Sequence, residues 1–536
     1  MTFNQAEAAR PEAMARPDVR ASAIHFLVPS VRDIIFIFLF CSLLAGTFSN
    51  RPLADPDIGW HIRTGELILA THTLPRTDPF SSTMQGQPWF AWEWMYDLAL
   101  GILDRACGLN GVIFLCALLV ASTVTVLLSQ LLKRGTGLLM AIVLMLLAEA
   151  AAAVHLFGRP HIVSWLFALV WFVSLERWQD GNAPRWLLWF FPVSALLWVN
   201  LHGGWILGFA LLAIYTLAGL VESMCSKDPF AAIRLSQRAR ALGMVGIVSA
   251  VATLFNPNGW RLHLHIYRYL SDRYLMNRIA EFRSPDFHGW PQRCFAIIIV
   301  LTVVAFAGQR QRLRLSHLLV VLLCVYSGLL AVRNVPVSSM LLVLIVGPIL
   351  WGAFAALATR PGAWSWFSRR VSRIVDFSDR MGTLELELRG HLWPVLCAIG
   401  ALAICLNGGR AGSKHLIDAH FDAEKVPVSA TDFLSSEPGT EPVFSTDSWG
   451  GYLIYRLYPK RQVVVDDRHD LYGSARVREL LILMQGEPGW REVLDRWKIH
   501  TALLPADSTL ANLLRELPQE WRVAYEDKLS VILEKR

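Results

Sequence analysis

The chain has 536 residues, of which 54% are hydrophobic and only 17% are charged. A soluble domain carries roughly 25% charged residues, so the composition excludes a soluble globular protein. The absence of long polar, Gly-X-Y or heptad stretches also excludes disordered, collagen-like and coiled-coil chains. The formal net charge of +7 is the excess expected from basic cytoplasmic loops of a membrane protein, and we expect no nucleic-acid partner.

The eight cysteines exclude two further kinds of site. Most of them lie inside apolar runs, and none forms a CxxC pair. A disulfide framework or a cysteine-based zinc site would require paired or closely spaced cysteines. The sequence predicts neither.

The N-terminal 31 residues are predicted to form a cytoplasmic tail. Residues 1–31 are mostly polar and carry Arg10, Arg16 and Arg20. They lack the short apolar run and small-residue cleavage site of a signal peptide.

Residues 32–408 are predicted to form a transmembrane domain. A spanning helix needs about 20 apolar residues to cross a hydrocarbon core of about 30 Å. Eleven segments meet this need, near 32–49, 110–132, 136–154, 161–178, 185–201, 204–222, 240–256, 291–308, 316–332, 336–358 and 392–408. Every second loop is basic, as expected for cytoplasmic loops. The sequence therefore predicts a polytopic α-helical membrane protein with a cytoplasmic N-terminus and an outward-facing C-terminus.

The tail, residues 409–536, is predicted to be a small α/β domain on the outer side. Strand patterns occur at 443–446, 462–466, 501–504, 521–525 and 529–533, and helix patterns begin at Gly450 and span 473–485 and 488–497. Because strands alternate with helices, we expect a mainly parallel sheet.

The first outer loop, residues 50–109, contains the densest group of candidate catalytic residues. Asp55 and Asp57 lie directly after the first predicted span, followed by His61. A helix beginning near Asp57 would place Asp57 and His61 four residues apart on one face. Asp57 alone is also typical of a helix N-cap, and His61 alone is typical of an amphipathic helix.

Glu93 is a further candidate in the same loop. It stands among Trp89, Trp92 and Trp94, which are residues typical of a membrane interface. Partial desolvation would raise its pKa and suit it to act as an acid, a base or a metal ligand. The alternative is an ordinary salt bridge to an arginine of the same loop, Arg63 or Arg76.

Several motifs together resemble those of a group of bacterial multi-spanning membrane proteins similar to GT-C type glycosyltransferases. The first is Asp-Pro-Asp-x-x-Trp-His-x-Arg-x-Gly-Glu, which begins at Asp55. The others are Pro-Arg-Thr-Asp-Pro-Phe-Ser from Pro75, Gly-x-Pro-Trp from Gly86, Gly158–His161, Trp198–Gly204, Asn256–Gly259, Trp449–Leu453 and Val465–Tyr472. The resemblance thus extends over nearly the whole chain.

This resemblance implies a transferase that takes a sugar from a polyprenyl-phosphate-linked donor. An acidic residue of the first outer loop would be the catalytic base, a role open to Asp55 and Asp57. Asp57 is favoured because a helix could bring it beside His61. The tail lacks the Trp-Trp-Asp motif with which oligosaccharyltransferases of this class bind a sequon, so Asn-linked protein glycosylation is not expected.

Four basic residues at outer span ends are candidates for binding the donor phosphate. Arginine suits phosphate oxygens because of its forked donors. These candidates are Arg159, His161, His202 and Arg333. The alternative for each is a snorkelling arginine or a capping histidine.

The tail and a possible metal complete the candidates. Trp449 and Tyr452 could cover the active site, and Asp466 and Arg468 end a predicted strand, where they could bind a ligand or anchor the tail. A divalent cation, Mg²⁺ or Mn²⁺, could be held by Asp55, Asp57 and Glu93, whose oxygens are hard ligands.

The leading hypothesis is an inverting glycosyltransferase in the bacterial inner membrane, with its active site and C-terminal domain on the periplasmic side. Its partners would be membrane lipid, a polyprenyl-phosphate sugar donor, and a glycan, lipid or protein acceptor. Two alternatives remain open: a transporter or flippase of a lipid-linked glycan, and a non-catalytic envelope assembly factor. A transporter is expected to show internal repeats and polar residues at mid-membrane depth.

Overall fold

The computed structural model describes residues 25–46, 48–309, 313–359, 364–388 and 390–536. Most of the predicted N-terminal tail, residues 1–24, lies outside this part of the chain. The α-helices of six or more residues in the first 408 residues, in chain order, are α1 (Val31–Ala45), α2 (Ile58–Thr71), α3 (Trp94–Cys107), α4 (Leu109–Lys133), α5 (Leu138–Ala152), α6 (His161–Asp180), α7 (Leu187–Leu201), α8 (Trp205–Cys225), α9 (Pro229–Ala252), α10 (Trp260–Ser271), α11 (Arg273–Arg278), α12 (Trp290–Gly308), α13 (Leu315–Leu330), α14 (Val335–Ala356), α15 (Ser365–Glu387) and α16 (Leu392–Leu406).

The protein is a multi-spanning membrane protein. A helix overlaps each of the eleven predicted spans. In the described residues, six helices are long and apolar enough to cross a membrane, and α15 with α16 adds a seventh if that bent pair forms one span. The helices α7 and α13 are apolar but shorter. The count of eleven spans remains a prediction.

The helix α4 lies at the centre of the membrane domain. It packs against α1, α3, α5 and α6, and most of its apolar side chains are fully buried. Three tryptophans, Trp165, Trp171 and Trp198, fill the neighbouring core between α6 and α7. Two of their indole nitrogens donate hydrogen bonds: that of Trp171 donates to Ser194, and that of Trp198 donates to Ser164.

The tail combines five helices with two small sheets. The helices are α17 (Val428–Ser436), α18 (Asp447–Leu457), α19 (His469–Gln485), α20 (Trp490–Arg496) and α21 (Thr509–Arg515). The strands β1 (Arg410–Ala411) and β2 (Lys414–His415) pair in a short antiparallel ribbon. The strands β3 (Val443–Phe444), β4 (Thr501–Pro505), β5 (Trp521–Glu526) and β6 (Ser530–Lys535) form a sheet in the order β3-β4-β6-β5.

The prediction of a mainly parallel sheet is wrong. Only β3 and β4 pair in parallel, whereas β6 pairs antiparallel with both β4 and β5. The three residues between β5 and β6 are too few for a parallel crossover, which needs about a dozen. The predicted strand at 462–466 is reduced to parallel bridges from Val463 to Val443 and to Ser81.

The bridge between Val463 and Ser81 joins the tail to the first outer loop. The backbone N–H groups of Val463 and Ser82 donate to the carbonyls of Phe80 and Val463, respectively. A second contact joins α18 to α2, which pack against each other through glycines. A Cβ atom added at Gly451 would lie 2.6 Å from the Cα atom of Asp57. The tail therefore packs directly on the segment that carries the predicted catalytic acids.

Candidate functional site

The two acids of the first outer loop converge on one arginine. The Nη1 atom of Arg159 lies 3.0 Å from Oδ2 of Asp55 and 3.4 Å from Oδ2 of Asp57. Asp55 Oδ1 also accepts a hydrogen bond from the Asp57 backbone N–H at 3.1 Å, which fixes the turn between the acids. The predicted first-loop acids and a predicted phosphate-binding residue are thus direct neighbours.

Asp57 is the more buried acid of the pair. Its residue is 1% exposed, and neither carboxylate oxygen accepts a hydrogen bond from an N–H or O–H donor of the described chain. It precedes the first residue of α2 but makes no side-chain capping bond. Burial raises its pKa well above the usual value, the charges of Asp467 and Asp55 raise it further, and Arg159 acts in the opposite direction. Asp57 is therefore not a helix cap, and its raised pKa means that it holds a proton more strongly than an exposed aspartate does.

His61 turns towards α3. Its Nδ1 atom lies 2.6 Å from Oδ1 of Asp97, and its Nε2 atom lies 3.9 Å from Oε2 of Glu93. The imidazole is fully buried and stacks on Trp60. The expected pairing of His61 with Asp57 is therefore replaced by pairing with two acids at the start of α3.

Glu93 lies between two histidines. Its Oε1 atom is 3.7 Å from Nε2 of His202, and its side chain is 12% exposed. The alternative salt bridge to Arg63 does not form, because Arg63 pairs with Glu66 and donates to the backbone carbonyl of Tyr455. Burial raises the pKa of Glu93 to about 8.

His161 and Arg333 form the next layer of polar residues. His161 Nε2 donates to the backbone carbonyl of His155, and the His155 ring approaches Glu281 at 3.4 Å. Arg333 lies 3.5 Å from Glu281 and stacks on the ring of Phe282. Burial alone would raise the pKa of Glu281, but the cations Arg333 and Arg159 outweigh it and lower that pKa to about 2. Arg333 therefore already has an ionised partner.

Arg468 and Asp466 anchor the tail to the loop. Arg468 donates from Nε and Nη2 to the two oxygens of Asp466 at 2.8 and 2.7 Å, and its Nη1 lies 2.8 Å from Oδ1 of Asp78. The guanidinium also lies over the rings of Trp89 and Phe80. This geometry supports the anchoring alternative for both residues.

Trp449 and Tyr452 pack into the tail. The Trp449 indole donates to the backbone carbonyl of Lys425 at 3.0 Å, and Tyr452 packs edge-on against Phe421. Both side chains are buried. The part of this motif that reaches the first loop is Gly451, whose lack of a side chain permits close contact with Asp57.

One group of residues has the spacing of a metal site. Asp447, Asp467 and His469 each offer a ligand atom within 4.8 Å of the others. The His469 ring already bonds both acids, with Nδ1 at 2.8 Å from Asp467 and Nε2 at 3.1 Å from Asp447. In the described residues, the predicted set of Asp55, Asp57 and Glu93 does not have this spacing, and Arg159 contacts the two aspartates.

Comparison with solved structures identifies the fold. The archaeal oligosaccharyltransferase AglB from Archaeoglobus fulgidus, in complex with an inhibitory peptide and a dolichol-phosphate, aligns with a TM-score of 0.54 at 10% identity over 89% of this chain and 69% of that chain. Its apo form gives a TM-score of 0.51 at 12% identity over the same shares. The chain has a GT-C-like fold.

The remaining comparisons gave no match by sequence and one further match by structure. No family model matches the sequence, and no curated protein matches it. The structure of ArnT from Cupriavidus metallidurans in the apo state aligns at 13% identity with a TM-score of 0.47, over 93% of this chain and 96% of that chain.

An apolar groove opens beside the polar residues of the GT-C-like domain. It has a volume of about 230 Å³ and is lined by Trp205, Ile206 and residues of α10, including His263, Ile266 and Tyr267. Trp205 follows His202 by three residues, so the groove begins next to the candidate phosphate-binding end of α8.

Sequence reasoning missed two acids of the site. Asp97 and Glu281 contact predicted residues. Asp467, which belongs to the predicted motif Val465–Tyr472, lies against Asp57 through its carboxyl group. For Asp97 a signal was present, since it follows Glu93 by four residues, the spacing of one helix face. Glu281 carries no comparable local signal, because its partners come from distant segments.

Proposed function

We propose that the protein is a GT-C type glycosyltransferase of the bacterial inner membrane. It transfers a sugar, with inversion, from a polyprenyl-phosphate-linked donor to an envelope glycan, lipid or protein on the periplasmic face. The observation that carries the proposal is the contact of Arg159 with Asp55 and Asp57 at one end of a GT-C-like helical domain. Two turns that are distant in sequence, one before α2 and one before α6, thus present a proton acceptor and a phosphate-binding cation side by side.

Asp57 takes the role of general base. The acceptor hydroxyl attacks the anomeric carbon while its proton passes to Asp57, and the bond to the lipid phosphate breaks on the opposite face. In its ionised form, which the charge of Arg159 favours, a carboxylate with a raised pKa binds a proton more strongly than an exposed one. Asp55, which is hydrogen-bonded to the Asp57 backbone, orients the turn and holds Arg159.

Arg159 stabilises the phosphate as its negative charge grows. Electrostatic stabilisation by positioned donors is commonly the largest contribution to such a step. The guanidinium needs no rearrangement to face the acids, and a phosphate oxygen can replace the carboxylate of Asp55. His202 contacts Glu93 and precedes Trp205, a lining residue of the apolar groove, by three residues. This groove is suited to the first part of a lipid chain.

No step of this reaction is routed through a metal ion. The cation Arg159 occupies Asp55 and Asp57, and His469 bridges the acids Asp447 and Asp467. A chelator is therefore expected to leave transfer activity unchanged, and loss of activity that Mg²⁺ or Mn²⁺ restores would contradict this assignment.

The grouping of polar residues favours transfer over transport. Asp55, Asp57, Glu93, Arg159 and His202 gather at helix ends and in loops. A transporter would be expected to present polar residues at mid-membrane depth, on broken helices around a central site.

The test is transfer of a labelled sugar from a panel of polyprenyl-phosphate sugars, with envelope extract as acceptor. Asp57→Asn is expected to lower the turnover about 10²–10⁴-fold, the usual loss of a general base. Asp55→Asn should lower it less, because Asp55 acts through Arg159. The control is Asp507→Asn, which changes an exposed acid of the tail. Full activity of both first-loop variants would remove the base assignment.

A further inference from the structure

Glu93 is a nearly buried carboxyl group without a strong counter-charge. In the described residues its ion-pair contacts within 4.0 Å are two histidines, His61 and His202, and include no arginine or lysine. Both contacts are longer than a hydrogen bond. The charge state of Glu93 therefore depends on the charge states of these two rings.

His202 presents an N–H group to Glu93. Its Nδ1 atom accepts from the backbone N–H of Gly204 at 3.0 Å and lies 2.7 Å from the hydroxyl of Ser164. Ser164 in turn accepts from the indole N–H of Trp198, which leaves its own proton free for His202. A neutral imidazole that accepts at Nδ1 carries its proton on Nε2, and Nε2 is the atom that faces Glu93.

His61 presents a neutral ring from the other side. Its Nδ1 bonds Asp97, and the whole side chain is excluded from solvent. Burial lowers the pKa of His61 well below its usual value, and the cation Arg159 lowers it further. An ionised Glu93 would thus lie buried between two uncharged rings, which is an unfavourable place for an isolated carboxylate.

We propose that Glu93 is an uncharged carboxylic acid that donates a hydrogen bond to a phosphate oxygen of the lipid-linked donor. The inference rests on the proposed function, because it takes the lipid phosphate as the ligand. Glu93 and His202 would supply two neutral donors, beside the positive charge of Arg159. Asp97 is a positioning residue in this arrangement, since it fixes the His61 ring against Glu93.

The charges that surround Glu93 come from several elements. Burial is the largest influence on its pKa and raises it; Arg159 and Arg333 act to lower it, while Asp470 and Glu281 act to raise it. The resulting pKa of about 8 keeps the acid protonated at neutral pH. Donation therefore ends as the pH rises through this value.

The experiment measures binding of polyprenyl phosphate alone to the purified full-length protein between about pH 6 and about pH 9.5. Wild-type affinity should fall above about pH 8, approaching tenfold per pH unit, because one bound proton is lost. Glu93→Gln keeps a donor at this position and cannot ionise, so it should bind as wild type does at pH 7 and show no fall. Glu66→Gln, a first-loop control, should follow the wild-type profile.

Three results would overturn the inference. Loss of binding by Glu93→Gln at pH 7 would show that the carboxylate form is needed. A wild-type profile that is flat through pH 9 would show that no acid of this kind takes part. Failure of the wild type to bind at any pH would instead remove the lipid-phosphate donor of the proposed function, and the inference with it. The wild-type profile keeps the test decisive even if a variant does not fold.

Discussion

Replacement of Arg468 should release the tail from the first outer loop. Arg468 is 3% exposed and is the shared cation of Asp466, in the tail, and Asp78, in the loop. Arg468→Met keeps much of the aliphatic volume under Trp89 but leaves two carboxylates buried without a counter-charge. Removing one partner of a buried ion pair costs about 3–5 kcal/mol, so the variant should lose that much free energy of unfolding.

The assay is thermal unfolding of the detergent-solubilised protein, combined with limited proteolysis of the tail. Arg522→Met is the matched control, because Arg522 pairs with Glu534 at 2.7 Å on the surface of the tail. An exposed pair of this kind is worth about 0–1 kcal/mol. The tail of the Arg468 variant should be cleaved faster than that of wild type or control.

A rescue variant separates charge from packing. Arg468→Met combined with Asp78→Asn and Asp466→Asn removes the two unpaired charges and should recover most of the lost stability, because replacing a whole buried ion network by neutral groups is often close to neutral. Equal stability of the single variant and Arg522→Met would refute the reasoning. So would a triple variant that is less stable than the single one.

Two further predictions concern Glu93 and the contact of helices α2 and α18. The pKa of Glu93 is raised from 4.5 to about 8, so this group should lower wild-type stability as the pH rises, by about 3 kcal/mol between pH 4.5 and pH 7. In thermal unfolding, Glu93→Gln should lose less stability than wild type over this range by that amount, whereas Glu66→Gln should match wild type. Gly451→Ala would place a methyl group against the backbone of Asp57 and should cost about 1–3 kcal/mol; Gly400→Ala, which meets no atom within 4 Å, should not destabilise the protein.

The positions of the helices could be predicted from sequence because hydropathy is a local property. Each apolar segment of sufficient length forms a helix wherever its neighbours lie. How many of these helices cross the membrane was harder to predict. For example, α6 carries Glu176 and Arg177, and α9 begins with a basic half that includes Arg234 and Arg238. Such segments combine an apolar part with a polar one, and composition alone does not divide them.

The pairing direction of the tail strands could not be predicted, because strand pairing is not a local property. Alternation of strands and helices describes order along the chain, whereas pairing joins Val443 to Thr501 and Thr501 to Glu534, which are distant in sequence. The one local signal, the short connection between β5 and β6, did indicate an antiparallel hairpin. The expectation of a parallel sheet, which came from the alternation of strands and helices, did not take this short connection into account.

The candidate site was only partly accessible from sequence. The motifs placed Asp55 and Asp57 beside the first span, and the predicted topology placed Arg159 on the same side. Their direct contact was not predicted, because it depends on how the two turns pack against each other. The partner of His61 could not be predicted, because helical spacing fixes a face but not the residue that covers it. That partner, Asp97, lies on the next helix, where Gly65 and Gly101 let the two backbones come into contact.

The contact of loop and tail also constrains the topology. Ser81 and Val463 are bridged, and Asp78 is paired with Arg468, so the first outer loop and the tail lie on one side of the membrane. The chain must then cross the membrane an even number of times between them. With the first span added, the total is odd. Six spans would place the tail on the opposite side from its partners, whereas seven or eleven would not. The shorter helices α7 and α13 can be added to a count of seven as a pair, which gives nine, but neither can be added alone.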